Sequence, residues 1–241
     1  MKITILTLFN EMYDGFLNSS IIKRIIDKGL AEVKIVNIRD YSLDKHKHVD
    51  DTPYGGGAGM LMKVDVVDRA LKANSSADSY VLLTSPKTYP LKQKDLLRFL
   101  EKKEIVIICG HYEGIDSRIE KYVDEKISIG DYILTGGELA SMVVVDGLLR
   151  LIDEGINSDS LKEESFNDDL LEYPQYTRPI EYDGLSVPDV LQNGNHAEIK
   201  RFNLKGALKE TLLYRPDLLA KKELNNEEKE LLDEIYNEID K

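Results

Sequence analysis

Two glycine-rich motifs in the middle of the chain constrain its fold more than any other feature. The first is Cys-Gly-His-Tyr-Glu-Gly-Ile-Asp at residues 109–116, and the second is Ile-Ser-Ile-Gly-Asp-Tyr-Ile-Leu-Thr-Gly-Gly-Glu-Leu at residues 127–139. Each begins in a short β-branched apolar run, residues 105–109 and 126–129, that is too short for a helix and predicts a buried strand. One glycine after a strand usually marks only a turn. Two strand ends that both carry glycine, tyrosine and a carboxylate favour a ligand site, because open α/β sheets bind ligands there.

The rest of the chain alternates strand and helix patterns and then changes character. The alternation predicts an α/β fold, an open parallel sheet with helices on both faces. Residues 154–169 are acidic and lack periodicity, which indicates a linker, and two helices follow on either side of Pro216. Further strands are predicted over residues 2–9, 31–38 and 80–84, and helices over residues 18–28, 64–73, 91–102, 115–122, 137–152, 197–214 and 226–239.

The helix predicted over residues 137–152 is unusually apolar. So much apolar surface indicates an interface with another surface in addition to a core contact. The side chains predicted to be buried are Leu139, Met142, Val143, Val145, Leu148 and Leu149.

A long polar loop over residues 40–60 contains Gly-Gly-Gly-Ala-Gly. Loops of this length in compact domains are usually functional or disordered. The glycines look like a phosphate cradle, but the Lys-Ser/Thr that completes a P-loop is missing, so a nucleotide-binding α/β enzyme is a weak alternative. His46 and His48 could contact a metal, although two histidines at this spacing in a loop are more often solvated.

Composition alone argues against a nucleic-acid partner. The net charge is -12, and phosphate contacts need lysine and arginine. A basic surface therefore has to be local, and residues 195–215 carry five cations against Glu198 and Glu210. The five are Lys200, Arg201, Lys205, Lys209 and Arg215.

The single cysteine, Cys109, excludes an internal disulfide and a cysteine-cluster zinc site, and a buried, inert thiol is expected. No apolar run reaches membrane-spanning length, and the first residues begin a strand pattern and not a signal peptide. These features predict a cytoplasmic protein with no membrane partner.

The two glycine motifs resemble those of the bacterial tRNA (guanine-N1-)-methyltransferases of the SPOUT class. These enzymes use S-adenosylmethionine to methylate the guanine on the 3′ side of the anticodon. Residues 50–60, 173–179 and 187–196 match the family as well, so the resemblance covers nearly the whole chain in order. A knotted methyltransferase acting on ribosomal RNA would share the cofactor loops but not the segment Tyr-Pro-Gln-Tyr-Thr-Arg-Pro at residues 173–179.

The resemblance implies a knotted fold. Knots are very rare in proteins, and nothing in the periodicity of this sequence indicates one. It implies a SPOUT-type parallel sheet with a deep trefoil knot, whose loops are residues 84–89, 110–114 and 129–137. The implied domains are a knotted cofactor-binding methyltransferase domain over residues 1–154, a linker over 155–170 and a small, mostly helical tRNA-binding domain over 171–241. A homodimer with an active site shared between subunits is implied too.

The resemblance also places the cofactor in the knot loops. Backbone amides and carbonyls there can read the adenine edge, and glycines permit close approach. Magnesium assists enzymes of the family, but the sequence offers no dedicated ligand cluster. The implied cofactor-binding residues are Thr84, Ser85, Pro86, Gly110, Tyr112, Glu113, Gly114, Ile129, Gly130, Asp131, Tyr132, Ile133, Leu134, Gly136 and Gly137.

Methylation of guanine N1 needs a base for the N1 proton and a donor for the charge that grows on O6. The resemblance implies Glu164, directly before Ser165, as the base and Arg150 as the donor. The family usually has aspartate at the base position, and the stretch between the two residues is one residue shorter here. The alternative bases are Glu163, Asp168 and Asp169.

The tRNA is expected to bind the linker and the C-terminal region, with the target guanine flipped out of its stack. A noncatalytic RNA-binding module that keeps the fold is the alternative from another class, and the pairing of Arg150 with a carboxylate before Ser165 argues against it. The candidate substrate-binding residues are Ser160, Glu172, Asn195, His196, Lys200, Arg201 and Arg215, with Lys205 as a further phosphate contact.

Overall fold

A computed structural model describes residues 1–152 and 164–239. The chain divides into two compact units, Met1–Ile156 and Asn157–Lys241. The strands of the first unit are β1 (Lys2–Thr7), β2 (Glu32–Asn37), β3 (Asp50–Asp51), β4 (Leu61–Met62), β5 (Ser79–Thr84), β6 (Glu104–Ile108) and β7 (Glu125–Ile127).

Five of these strands form one parallel sheet in the order β2-β1-β6-β5-β7, which confirms the predicted α/β class. The other two, β3 and β4, pair antiparallel within the long polar loop. In the first unit the helices are α1 (Asp14–Leu17), α2 (Ser20–Asp27), α3 (Val64–Asn74), α4 (Gln93–Leu100) and α5 (Glu138–Leu149), and 3-10 helices span Asn10–Tyr13, Ile38–Tyr41 and Ser117–Tyr122.

Both faces of the sheet are covered, because alternate side chains of a strand point to opposite faces. On one face, Ile5 and Ile107 pack in a cluster with residues of α2, α4 and α5. On the other, Leu6 and Ile108 pack with residues of α3. These side chains are fully buried, and each such burial stabilises the fold by about 1.5–3 kcal/mol.

Helix α5 differs from its prediction in the face that it buries. Val145, Leu148 and Leu149 are buried, but Leu139 and Val143 are 48% and 53% exposed. The prediction for these two was wrong because residues four apart share one face of a helix, and theirs points away from the sheet.

The second unit contains a hairpin and three α-helices among its described residues, with 3-10 helices at Asn167–Asp169 and Asp189–Leu191. Strands β8 (Glu181–Tyr182) and β9 (Leu185–Ser186) pair antiparallel, and both residues between them have positive φ, as an Asp-Gly hairpin turn requires. The helices are α6 (His196–Tyr214), α7 (Pro216–Leu219) and α8 (Asn226–Ile239), close to the predicted ranges. Pro216 begins α7, a position where proline is favoured, and the core of the unit gathers Leu170, Leu208, Leu231 and Ile235.

Candidate functional site

The carboxyl ends of β5 and β6 meet the start of α5 in the first unit. Gly137, the residue before α5, donates its N–H to the carbonyl of Gly110 at 2.7 Å. Gly110 in turn donates its N–H to Thr84 Oγ1 at 3.3 Å, and that hydroxyl donates to the carbonyl of Ile108 at 3.2 Å. Three segments predicted to bind a cofactor are thus brought together at one edge of the sheet.

Gly137 occupies a space with no room for a side chain. A Cβ atom there would lie 2.0 Å from Thr84 Oγ1 and 2.9 Å from the Cα of Cys109. Close packing of this kind leaves no volume for even one methyl group. Glycine is therefore required where the chain crosses the strand ends.

The predicted segment after β7 presents its backbone to the surface. Within the described part of the chain, the N–H groups of residues 131–135 donate no hydrogen bond to the protein. Tyr132 and Ile133 are exposed, and the Tyr132 ring folds over Gly130, which has a φ of 155°. This arrangement leaves a row of backbone donors and an apolar surface for a ligand.

Residues 84–91 run beside this segment. Ser85 donates its N–H to the carbonyl of Ile127 at 2.8 Å, and Leu91 donates to that of Ser128 at 2.8 Å. Pro86 is exposed between these two contacts.

The motif around Glu113 is joined to the glycine-rich loop. Glu113 donates its N–H to the carbonyl of Met60 at 3.1 Å, and its side chain lies directly against Gly59, where a Cβ would come within 2.3 Å. The neighbours Tyr112 and Gly114 have φ values of 57° and 123°. The loop over residues 40–60 is therefore built into the site region.

A buried carboxyl group supports this region, and the sequence analysis missed it. Glu138 is only 2% exposed, and its Oε1 accepts a hydrogen bond from Thr7 Oγ1 at 2.8 Å. Its other oxygen lies 3.9 Å from Nδ1 of His111. The first turn of a helix favours such an acidic group, and the glutamate directly after a glycine pair at a helix start was the signal that could have found it.

Cys109 is buried beside this region and does not face the ligand surface. Burial raises the pKa of its thiol to about 12, so the thiol stays protonated and unreactive at neutral pH. Its Sγ lies 3.4 Å from the hydroxyl of Tyr13, which also contacts Ser141 Oγ at 2.7 Å. The predicted burial of Cys109 is confirmed.

Arg150 lies at the C-cap of α5 and is partly buried. It lines a cleft of about 490 Å³ in the first unit, together with the partly buried Met142, the exposed Val143 and Asp146. The cleft therefore combines apolar side chains with the cationic group of Arg150.

Glu164 belongs to the second unit and opens a tight turn. Ser165 Oγ accepts a hydrogen bond from the N–H of Glu172 at 3.0 Å, which closes the turn directly after Glu164. Asp168 is ion-paired with Lys222 at 2.6 Å. The predicted residues Ser160 and Glu163 lie outside the described residues.

Several cations proposed to bind RNA already have carboxylate partners. Arg201 and Lys205 of α6 both pair with Glu234 of α8, the lysine at 2.8 Å. Arg215 pairs with Asp217 at 2.8 Å, and Lys200 makes no ion pair within the ranges that the structure covers. A helix that is basic in sequence is thus partly neutralised by its neighbours.

The start of α6 is fixed by its own cap. Asn195 accepts hydrogen bonds from the N–H groups of Ala197 and Glu198, the first at 3.2 Å, and His196 is exposed beside it. The side chain of Asn195 therefore performs the N-cap role.

Two other features, a cluster of metal ligands and a membrane-spanning helix, are absent from the described residues. Within residues 1–152 and 164–239, no three histidine, cysteine, aspartate or glutamate side chains group in a way that could hold a metal ion. Over the same ranges, no helix combines the length and the apolar character that crossing a bilayer requires.

Known proteins resemble this chain over almost its whole length. A family profile described as tRNA (Guanine-1)-methyltransferase TrmD matches residues 1–221. A protein of Dictyoglomus turgidum named tRNA (guanine-N(1)-)-methyltransferase is 48% identical over 240 residues, which cover 99% of this chain and 98% of that protein. A protein of the same name from Syntrophomonas wolfei is 52% identical over 236 residues, 98% of this chain and 97% of that protein. A third, from Carboxydothermus hydrogenoformans, is 50% identical over 234 residues, 96% of this chain and 92% of that protein.

Proposed function

We propose, from the premise that this chain belongs to the tRNA (guanine-1)-methyltransferase family, that it transfers a methyl group from S-adenosylmethionine to N1 of the guanine on the 3′ side of the anticodon. The observation that carries the proposal is the extent of the likeness. It runs through both units, and relatives about half identical over nearly their full length are named tRNA (guanine-N(1)-)-methyltransferase.

The strand-end loops of the first unit suit the proposed methyl donor. The N–H groups of residues 131–135, which donate to no acceptor in the described ranges, can bind the adenine edge, and Ile133 offers an apolar surface beside them. Asp131 and Glu113 supply negative charge for a ligand that carries a positive sulfur. When it is bound, S-adenosylmethionine supplies an already activated methyl group, so the protein has to activate the acceptor.

Glu164 and Arg150 perform that activation in the proposed mechanism. Guanine N1 carries a proton and its electron pair is delocalised, so it is a poor nucleophile until a base removes the proton. Glu164 takes the proton, and Arg150 donates a hydrogen bond to O6, where negative charge accumulates. The Ser165–Glu172 hydrogen bond supports this role for Glu164, because it fixes the backbone that follows directly.

The ion pair of Asp168 argues against that residue as the base. Lys222 Nζ donates to Asp168 Oδ2 at 2.6 Å and to the Asp168 carbonyl at 2.9 Å. A carboxylate in such a pair is committed to a structural contact.

The proposal includes a knotted sheet and a homodimer with shared active sites. The knot is supported by the path of the chain, which leaves β7 at the sheet edge and returns to Gly137 over the ends of β5 and β6. The dimer is supported by the exposed apolar residues Leu139 and Val143 on α5. In this proposal the tRNA binds the second unit, where Lys200 and His196 are exposed at the start of α6.

A methyl-transfer assay with two transcripts tests the proposal. The protein is incubated with radiolabelled S-adenosylmethionine and a tRNA that carries guanine 3′ to the anticodon, or the same tRNA with adenine there. We expect label in the first transcript only, and nucleoside analysis should identify it as 1-methylguanosine. Label in neither, from folded protein that binds the cofactor, would show that the activity does not accompany the family fold here.

A further inference from the structure

We propose that Lys222 is a positioning residue for methyl transfer, which holds the turn that carries Glu164 in its working geometry. The inference rests on the proposed function and adds a residue to it. Lys222 lies one residue beyond the segment that the family profile matches, which ends at residue 221.

The turn after Glu164 has a backbone that needs outside support. Phe166, Asp168 and Asp169 have φ values of 74°, 53° and 56°, in the left-handed region that residues other than glycine rarely adopt. Such conformations persist where surrounding contacts determine them. Phe166 donates its N–H to the carbonyl of Leu170 at 2.7 Å, which closes the turn but leaves Asp168 at its tip.

Lys222 binds that tip from the inside of the second unit. Its Nζ donates to both the carbonyl and the carboxylate of Asp168, at 2.9 and 2.6 Å. The lysine side chain is only 7% exposed, whereas that of Asp168 is 81% exposed. A buried cation thus binds the exposed residue at the tip of the turn.

The other side of Lys222 is attached to a rigid element. Its Nζ lies 3.3 Å from Glu228 Oε1, a buried carboxylate in the first turn of α8. Glu228 is itself fixed, because its Oε2 accepts the N–H of Asn225 at 2.8 Å and Asn225 Oδ1 accepts the N–H of Glu228 at 2.9 Å, a reciprocal capping box. Lys222 therefore connects the turn to a helix start that does not depend on the turn.

The charge of Lys222 is maintained in this position. Burial acts to lower its pKa, but the hydrogen bonds and charges of Asp168 and Glu228 act in the opposite direction, and the net result is a pKa above the ordinary value for lysine. The ammonium group is therefore present across the neutral range, and the turn is held without a pH-dependent step there.

We expect the Lys222–Asp168 contact to affect the rate of methyl transfer more than the binding of S-adenosylmethionine or tRNA. The turn lies between Glu164 and Leu170, whose side chain is buried in the core of the unit. Releasing Asp168 removes the contact at the tip of the turn while Leu170 and the Ser165–Glu172 hydrogen bond stay in place, so we expect the backbone between Glu164 and Leu170 to shift. Displacement of a reacting group by about 1 Å can cost a hundredfold in rate, while the ligand contacts elsewhere stay intact.

The test compares Lys222→Met with Lys221→Met, an exposed neighbouring lysine, in single-turnover methylation of the guanine transcript. We expect the Lys222→Met rate to fall about ten- to a hundredfold. The dissociation constants for S-adenosylmethionine and tRNA should stay within about twofold of wild type. Lys222→Arg should recover part of the rate, and Lys221→Met should behave as wild type.

Two further variants keep the test decisive if Lys222→Met unfolds. Lys222→Met/Glu228→Gln removes the buried carboxylate that would be left without its cation, and Asp168→Asn removes only the exposed partner. Both variants should fold, and both should lose methylation rate without losing affinity for cofactor or tRNA. The loss should be smaller for Asp168→Asn. Wild-type rates in these folded variants would overturn the inference, as would a tRNA affinity that falls in parallel with the rate.

Failure of the proposed function gives a different result. A wild-type protein that methylates neither transcript would overturn the proposed function and this inference with it. An Asp168→Asn rate far below that of Lys222→Met would identify Asp168 as the base and overturn the inference while leaving the reaction intact.

Discussion

The strand-end loops of the first unit and the turn over residues 164–170 of the second are both irregular backbone, but they are held in opposite ways. The loops are held by backbone contacts so close that Gly137 has no room for a Cβ. The turn is closed by one backbone hydrogen bond, from Phe166 to Leu170, and is held further by the side chains of Ser165 and Lys222, around non-glycine residues in the left-handed region. Backbone fixation suits a binding surface that must not change, whereas side-chain fixation makes the geometry of the turn after Glu164 depend in part on the Lys222–Asp168 ion pair.

The difference predicts opposite responses to substitution. In the loops, added volume should destabilise the fold more than the loss of an exposed charge does. In the turn, loss of charge should be harmful while the fold survives. The following predictions test this contrast, beginning with the largest expected effect.

Gly137→Ala should damage the first unit most. The added Cβ would meet the Cα of Cys109 and the N of Gly110, at 2.9 and 3.0 Å, so relief requires movement of backbone. We expect the free energy of unfolding to fall by about 3 kcal/mol and S-adenosylmethionine affinity to fall by more than about tenfold. Denaturant unfolding and calorimetry measure the two quantities.

Gly15→Ala is the matched control. Gly15 is exposed in α1, and a Cβ there would meet nothing within 4 Å. Alanine should leave stability unchanged or raise it by up to about 1 kcal/mol, because alanine favours a helix. Equal stability of the two variants would show that the strand-end packing is looser than the contact distances indicate.

Thr7→Val and Thr4→Val compare, on the same strand, a hydroxyl that donates a hydrogen bond with a buried hydroxyl that has no partner among the described residues. Thr7 Oγ1 donates to the buried Glu138, whereas Thr4 Oγ1 is buried with no partner among the described residues. We expect Thr7→Val to lower the free energy of unfolding by about 1–3 kcal/mol and Thr4→Val to be neutral or stabilising. Thermal unfolding of the pair checks this, and a reversed order would remove Glu138 from the support of the site.

Lys200→Gln and Arg201→Gln test the basic helix of the second unit. Arg201 is already paired with Glu234, so its release costs an ion pair, while Lys200 is available to a phosphate. Lys200→Gln should reduce the slope of log affinity for tRNA against log salt by about 0.7–0.9, and Arg201→Gln should reduce it less. Affinity for tRNA measured over a salt series distinguishes the two variants. Slopes equal to that of the wild type in both variants would place both cations outside the RNA contact.

Glu104→Gln should have the smallest effect on function, because Glu104 begins β6 at the end of the sheet away from the loops. Hydrogen bonds from Lys2, Ser76 and Ser79 lower the pKa of Glu104 to about 2. A depressed pKa in the folded state stabilises the protein above the ordinary glutamate value, and this stability is lost as the pH falls toward 2. The difference in Tm between wild type and Glu104→Gln should therefore be largest near neutral pH and shrink toward about pH 2. A constant difference would contradict the pairing.

The backbone-fixed region was the more predictable of the two. Short β-branched runs followed by glycine gave the strands and their common edge, because steric limits act on neighbouring residues and leave a local pattern. The Thr7–Glu138 contact was not predictable, because it joins residues 131 apart in the chain. The exposure of Leu139 and Val143 was missed because an all-apolar helix does not show which face meets the sheet.

In the second unit, the helices could be predicted from local patterns, but the ion pairs between elements could not. The capped start of α6 and the helix over Asn226–Ile239 follow from sequence. The pairing of Arg201 and Lys205 with Glu234 depends on how α6 and α8 pack, so the predicted cations looked more available than they are. Lys222 gave no signal at all, because a lysine near a chain end usually indicates solvent exposure.

The division between a binding region and a reacting region is tested most directly by Glu164→Gln. Its affinity for S-adenosylmethionine and its single-turnover rate on the guanine transcript are measured on the same preparation. We expect the affinity to stay within about twofold of wild type, and the rate to fall by about 10²–10⁴, the usual contribution of a general base. A glutamine variant with a near-normal rate would contradict the account and move the base to a neighbouring carboxylate.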